Sequence, residues 1–198
     1  MKKWKFLTAA AALTLMLAAC GDDEVKDSSA EDTGAETTQT EDKEATETVA
    51  FPMTIKSLTG SSETEEGKQI TFEDVTLEKM PERIITLDYG FLDTLDALGV
   101  EGIVGIAANG GKGNIPTHLK EKYVVDGVAD VGTLKQIDFE AVAAANPDVI
   151  FISGRQSTAY EELKEITPNV IFIGSDNENY VDAVYETVDL AAQIFGKE

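Results

Sequence analysis

The chain has 198 residues, with 37 acidic and 16 basic side chains and a formal net charge of −21. A surface this acidic argues against binding to nucleic acid and against direct contact with anionic lipid. The single cysteine excludes an intramolecular disulfide, and the single histidine leaves too few ligands for a transition-metal cluster. Residues 51–198 carry a net charge of −15 and are numerous enough for one domain with a hydrophobic core.

The first twenty residues have the pattern of a secretory signal. Three lysines within the first five residues precede an apolar stretch that ends at Ala19. Fourteen residues of helix span about 21 Å, less than the hydrocarbon core of about 30 Å, so residues 1–19 are predicted to be a signal peptide. Leu17 to Cys20 reads Leu-Ala-Ala-Cys and resembles the lipobox of bacterial lipoproteins. This resemblance implies that Cys20 is lipidated and becomes the mature N-terminus; a leftover cysteine after an ordinary signal is the alternative.

The segment after the cysteine is strongly acidic. Between Gly21 and Ala50, eleven residues are acidic and two are lysine, and much of the rest is Thr, Ser, Ala and Gly. Low hydrophobicity with a net charge of −9 predicts disorder. Residues 20–50 are therefore expected to be a lipidated cysteine and a disordered tether of roughly 30 Å, which holds a folded domain at 51–198 away from the membrane.

The rest of the chain alternates predicted strands and helices. Strands are predicted at 53–58, 69–77, 83–87, 103–107, 148–153 and 170–173. Helices are predicted at 90–98, 118–122, 138–145, 157–166 and 179–195, and the glycine-rich segment 109–114 is predicted to be a loop. Apolar strands separated by helices predict an α/β fold, with a parallel sheet flanked by helices on both faces.

Ligands of such sheets bind outside the carboxyl ends of the strands, which directs the search to the loops at 88–90, 108–114 and 154–156. Arg155 would supply a cation there and Lys112 a second one. Tyr89 would form an apolar wall of the site, against which aromatic rings of a ligand could pack. Possible hydrogen-bond donors at similar loop positions are Gln156, Thr133 and Asn109.

The two arginines of the chain have different expected roles. Arg83 precedes a strand, and its expected role is structural. Arg155 follows the buried strand at its carboxyl end, where a cleft would lie. The alternative for Arg155 is an exposed ion pair with Glu161 or Glu162.

No enzyme is predicted. His118 is the only histidine, so a Ser-His-Asp or Cys-His arrangement would have to include it, and it is expected to be a surface residue. The segment from Gly110 to Gly113 lacks the residue order of a phosphate-binding loop.

Five segments in order resemble one family. Residues 80–87 (Met-Pro-Glu-Arg-Ile-Ile-Thr-Leu) and the Ala-Leu-Gly at 97–99 resemble the opening of the iron–siderophore and vitamin B12 class of substrate-binding proteins. Residues 130–134 (Asp-Val-Gly-Thr-Leu) and 146–150 (Asn-Pro-Asp-Val-Ile) resemble its middle section. Residues 152–157 (Ile-Ser-Gly-Arg-Gln-Ser) are closer to the branch of petrobactin-type receptors for ferric catecholates in Gram-positive bacteria.

This resemblance implies two α/β lobes joined by a long helix, with the ligand between them. Residues 51–198 match the first lobe, and the second lobe is absent, so the sequence is either a fragment or the product of a truncated gene. The implied protein is a lipoprotein on the outer face of the cell membrane that feeds ferric siderophore to the permease subunits of an ABC importer.

The resemblance also implies details of the site. Arg155 would point into the cleft and meet the anionic ferric complex, the siderophore itself would hold the iron, and surface acids would dock the permease. The alternatives are a haem, cobalamin or hydroxamate-siderophore receptor of the same family, or a single-lobe surface lipoprotein that binds another protein.

Overall fold

The structure is a computed structural model that describes residues 49–59, 61–63, 67–174 and 180–197. The predicted signal peptide, Cys20 and the predicted tether up to residue 48 lie outside the described residues. Within the described ranges, no helix combines the length and apolar character needed to cross a bilayer.

The described residues form short strands and helices in alternation after an initial pair of hairpin-like ribbons. The strands are β1 (Met53–Ile55), β2 (Ser61–Glu63), β3 (Gln69–Thr71), β4 (Val75–Leu77), β5 (Ile84–Thr86), β6 (Ile103–Ile106), β7 (Ala129–Asp130), β8 (Val149–Ile152) and β9 (Val170–Phe172). The helices are α1 (Tyr89–Ala97), α2 (Thr117–Tyr123), α3 (Phe139–Ala144), α4 (Tyr160–Lys164) and α5 (Tyr180–Phe195). Two 3-10 turns cover Asn109–Gly111 and Gly154–Ala159.

One parallel sheet with the strand order β7-β6-β5-β8-β9 organises the domain. Every residue of β5, β8 and β9 is buried, as expected for apolar strands covered on both faces. The chain runs outward from β5 to β6 and β7, then crosses back to β8 on the other side of β5. The strand order therefore reverses between β5 and β8, and the carboxyl edge at such a point is where α/β sheets form crevices.

Helices cover both faces of this sheet. On one face α1, α2 and α5 contribute Leu92, Leu119 and Ile194 to a core that includes alternate residues of β5, β8 and β9. On the other face α3 and α4 contribute Val142 and Leu163 to a second core. The predicted α/β architecture, a parallel sheet flanked by helices, is confirmed.

The residues before β5 form two antiparallel ribbons, in which β1 pairs with β4 and β2 pairs with β3. The prediction of one strand over 69–77 is wrong, because Phe72 turns inward between β3 and β4. Its ring stacks on Phe172 with a centroid separation of 3.9 Å and meets Tyr160 edge-on at 5.1 Å. The Glu73 N–H donates to the Tyr160 hydroxyl at 3.0 Å, which fixes the break. The predicted pairing of this segment with 53–58 is confirmed for β1 and β4.

Other elements lie within a few residues of their predicted positions. The Asp138 carboxylate accepts a hydrogen bond from the Ala141 N–H at 3.0 Å and caps α3, as predicted. Two details differ: the predicted loop at 109–114 contains a 3-10 turn, and the predicted helix at 157–166 starts as a 3-10 turn at Gly154. Strand β7 was not predicted, because two residues carry no periodicity.

Candidate ligand-binding groove

A groove of about 810 Å³ lies at the carboxyl edge of the sheet, beside the point where the strand order reverses. It is lined by the start of α1, by the residues that follow β8 and β9, and by the first half of α5. Among the described residues, three charged ones line it, namely Asp88, Asp93 and Arg155. Two of the three loops that the sequence analysis selected, 88–90 and 154–156, contribute residues to this groove.

The α1 side of the groove is built by a helix cap. Asp88 has extended backbone angles, and its Oδ1 accepts a hydrogen bond from the Phe91 N–H at 3.0 Å. A Cβ on Gly90 would lie 3.2 Å from that oxygen, so the glycine leaves room for the cap. Asp93, one turn further on, contacts His118 Nε2 at 2.7 Å. Both groove carboxylates therefore have hydrogen-bonding partners of their own.

The loop after β8 is held by Gln156, whose side chain is 1 % exposed. Its Oε1 accepts from the Ser153 N–H at 3.1 Å, and its Nε2 donates to the Leu134 carbonyl at 2.5 Å. The amide is buried and its oxygen and nitrogen both bind the protein, which disfavours the predicted hydrogen bond from Gln156 to a ligand; that contact stays a prediction. Gln156 anchors the turn that carries Arg155.

Arg155 is exposed and lines the groove. Among the described residues it makes no hydrogen bond and no ion pair, so the alternative of a pair with Glu161 or Glu162 is not seen. A Cβ on the neighbouring Gly154 would have no atom within 4 Å, which shows how open this side is. The groove thus contains a guanidinium whose donors have no partner among the described residues.

Tyr89 is the first residue of α1 and is not among the described residues that line the groove. Its hydroxyl donates to the Ala107 carbonyl at 2.6 Å, and a Cβ on Gly113 would come within 2.8 Å of that hydroxyl. Burial, and then the negative charge of Asp130, raise the pKa of Tyr89, while the positive charge of Arg155 acts in the opposite direction. The hydroxyl is committed to the main chain, so a ligand contact by Tyr89 would involve its ring, and that contact stays a prediction.

Asp130 organises a second cluster, at the ends of β6 and β7. Its Oδ1 accepts from the N–H groups of Ala108, Asn109 and Gly132, each at 3.0 Å, and its Oδ2 accepts from the Gly110 N–H at 2.5 Å. The sequence analysis did not select Asp130 as a site residue. Three of its four main-chain partners lie about twenty residues upstream, and the one available signal was its place in the Asp-Val-Gly-Thr-Leu segment.

Three predicted site residues lie in this second cluster and not among the residues that line the groove. Asn109 has a φ of 51° and donates its N–H to the Gly132 carbonyl at 2.8 Å. The Thr133 hydroxyl oxygen accepts from the N–H groups of Lys135 and Gln136, which makes it a turn cap. Lys112 ends the 3-10 turn with an exposed side chain. Their contacts with a ligand remain predictions.

Metal-binding side chains do not cluster in the part of the chain that the structure describes: no group of three or more His, Cys, Asp or Glu residues there could hold a metal ion.

A crevice at the point where the strand order reverses is common to open α/β sheets, so the family has to be identified from the sequence. The sequence model described as periplasmic binding protein matches residues 84–198, and the chain belongs to this family.

Two relatives and one further solved structure are compared with this chain by sequence identity, coverage and structural similarity. It is 32 % identical over 198 residues to the petrobactin-binding protein YclQ of Bacillus subtilis (strain 168), covering all of this chain and 52 % of YclQ. The crystal structure of YclQ matches with a TM-score of 0.58 and 33 % identity, over 70 % of this chain and 45 % of that one.

The Fe(3+) dicitrate-binding periplasmic protein FecB of Escherichia coli (strain K12) is 37 % identical over 128 residues, which are 62 % of this chain and 40 % of FecB. The periplasmic catecholate-siderophore binding protein VctP of Vibrio cholerae matches with a TM-score of 0.53 and 28 % identity, over 68 % of this chain and 44 % of VctP. The chain spans about half the length of the curated relatives it matches. These relatives are named as binding proteins, not as enzymes.

Proposed function

We propose that this chain is the substrate-binding component of an ABC importer that captures a ferric siderophore, of the catecholate type, for iron uptake. The observation that carries the proposal is the exposed Arg155, which lines the groove and has no partner among the described residues. The similarity to YclQ along the whole chain supports the same ligand class, as does the likeness to VctP. The siderophore would hold the iron, and the protein would need no cofactor.

Physical chemistry favours an arginine for this ligand. A ferric tris-catecholate carries a charge near −3, and one cation about 6 Å away at an effective dielectric of about 20 gains roughly 8 kcal/mol before desolvation. The guanidinium keeps its charge and offers fixed donors to catecholate oxygens. Because residues 51–198 have a net charge of −15, the domain repels an anion at long range and a local cation is needed to hold it.

The cellular setting belongs to the same proposal. Residues 1–19 would be a signal peptide, Cys20 would carry the acyl chains, and the acidic segment to residue 50 would tether the domain to the outer face of the cell membrane. Residues 51–198 would form the N-terminal lobe, with a second lobe closing the cleft and surface acids docking the permease subunits. The lipoprotein prediction is tested by metabolic labelling with a palmitate analogue, which Cys20→Ala should abolish.

The ligand is tested by titration calorimetry of the full chain with a ferric tris-catecholate and with a ferric trihydroxamate, whose complex is close to neutral. Calorimetry is preferred to fluorescence because Trp4, the only tryptophan, lies in the predicted signal peptide. Arg155→Ala should weaken catecholate binding by about ten- to a hundredfold, as expected for the loss of hydrogen bonds from a charged donor. Arg155→Lys should recover part of the affinity.

Lys79→Ala is the matched control, since it removes one positive charge near Pro81 and Asp148, at the amino edge of the sheet. It should leave the affinity within about twofold. Equal catecholate binding by wild type and Arg155→Ala would overturn the role of Arg155. Binding of the trihydroxamate, haem or cobalamin in place of the catecholate would move the protein to another branch of its family. If none of these ligands binds and a protein partner is recovered instead, the alternative of a surface lipoprotein that binds another protein would be supported.

A further inference from the structure

The wall of the groove opposite the loops is formed by the first half of α5. Tyr180 and Val184 are one helical turn apart, both line the groove, and their side chains are 69 % and 44 % exposed. Because the two side chains are neighbours on one helix face, their exposed surfaces form a contiguous apolar patch, and such patches mark sites of interaction more often than single exposed residues do. This wall therefore has the character of a contact surface.

The groove combines two kinds of surface that one small molecule could use together. Arg155 offers charged donors on the β8 side, and Tyr180 and Val184 offer an apolar surface on the α5 side. The volume of about 810 Å³ lies within the range of small-ligand sites, roughly 300–1,000 Å³. The complementary ligand is an anion that also carries flat apolar groups.

We propose that Tyr180 and Val184 are specificity-determining residues that receive the aromatic rings of the ferric complex while Arg155 meets its oxygens. This inference rests on the proposed function and adds the α5 wall to it. A phenol ring makes offset or edge-on contacts with another aromatic ring. An aliphatic or citrate-based ligand has no ring with which to form them. The wall would therefore favour aryl-bearing complexes over other anions of similar charge.

The chain offers a matched control on the same helix. Tyr185 is 66 % exposed, almost as much as Tyr180, but it does not line the groove. Replacement of either tyrosine by alanine removes the same atoms from a similarly exposed position of α5. The two variants therefore differ in whether the lost ring faces the groove.

The experiment is calorimetric titration of the full chain with a ferric tris-catecholate. Tyr180→Ala should weaken binding by about tenfold, as expected for the loss of one partly buried ring. Tyr180→Phe should bind within about twofold of wild type, because the ring is retained, and Tyr185→Ala should do the same. The melting temperatures of all three variants should match that of the wild type, since both side chains are exposed.

Equal affinities for wild type and Tyr180→Ala, or equal losses in Tyr180→Ala and Tyr185→Ala, would overturn the inference while leaving the proposed function standing. A loss in Tyr180→Phe equal to that in Tyr180→Ala would also overturn it, since the hydroxyl and not the ring would then make the contact. A wild-type chain that binds no ferric catecholate would refute the proposed function itself.

Discussion

Arg83 and Arg155 lie at opposite edges of the same parallel sheet. Arg83 precedes β5 at the amino edge, where its Nε donates to the Asn146 carbonyl and its second guanidinium nitrogen to the Ala145 carbonyl. Arg155 follows β8 at the carboxyl edge and has no partner among the described residues. Within the described part of the chain, one arginine is therefore bonded to the main chain and the other is not.

The surroundings of the two arginines explain this difference. At the amino edge the Asp148 carboxylate accepts the N–H groups of Glu82 and Arg83, at 2.9 and 3.0 Å, so the groups there satisfy one another. At the carboxyl edge Asp88 is used by its own helix and Asp93 by His118. Neither carboxylate forms an ion pair with Arg155. A functional site is therefore better recognised by donors that the fold leaves free than by residue type.

The largest expected effect is a loss of folding stability when the turn that carries Arg155 loses the side chain that anchors it. Gln156→Ala leaves the half-buried Ser153 N–H and Leu134 carbonyl without their side-chain partners and opens a gap at the buried Gln156 position, at a cost of about 3 kcal/mol in the free energy of unfolding. Urea denaturation should show a lower midpoint with an unchanged slope. Thr158→Ala, at an exposed position of the same turn, is the control. A loss below about 0.5 kcal/mol would mean that the turn does not depend on Gln156.

The next effect compares the two arginines directly. Arg83→Ala removes two hydrogen bonds from a charged donor to main-chain carbonyls and should lower the free energy of unfolding by about 2 kcal/mol. Arg155→Ala should change it by less than about 0.5 kcal/mol, since the side chain is exposed. Denaturation curves for both variants, recorded under the same conditions, measure the difference. Equal losses would show that Arg155 is also structural.

The elements of the sheet were predictable where their residues are buried on both faces. The runs that became β8 and β9 are continuously apolar, and β5 has two isoleucines before its buried Thr86; that pattern does not depend on distant parts of the chain. Strand β7 has two residues and is defined by its partner β6, so its own sequence could not indicate it. The break between β3 and β4 depends on the ring of Phe172, about a hundred residues away.

The site was predictable in its location but less so in its residues. The position of Arg155 at the end of a buried strand was enough to place it at the carboxyl edge. Its neighbour Gln156 has the same sequence signal, but the 3-10 turn directs that side chain inward, and sequence alone cannot give the direction. Asp130 escaped prediction because its four contacts are with main-chain N–H groups, which no side-chain pattern records.

A smaller effect should follow from the helix cap in the groove. Asp88→Ala removes the acceptor for the Phe91 N–H and should cost about 1 kcal/mol of stability. It also removes a negative charge from the groove, so binding of an anionic ferric complex should tighten about twofold or stay unchanged. Asp88→Asn is the matched variant, because it keeps a capping oxygen and should retain most of the stability. Weaker anion binding in both variants would show that Asp88 contacts the ligand instead of repelling it.

The smallest effect concerns the other end of α1, where Asp96 accepts hydrogen bonds from the Lys122 ammonium and, at 2.7 Å, from the Tyr123 hydroxyl. These hydrogen bonds, first the one from Lys122 and then the one from Tyr123, lower the pKa of Asp96 below its usual value. The folded state therefore prefers the ionised carboxylate, so this stability is present above the unfolded pKa of about 4 and is lost as the pH falls through the lower folded value. Stability measured from pH 6 down to pH 2.5 should fall less steeply in Asp96→Asn than in the wild type.

Because Asp96 joins α1 to α2 and does not line the groove, ligand affinity at pH 7 should be unchanged in this variant; a large loss would mean that the two ends of α1 are coupled.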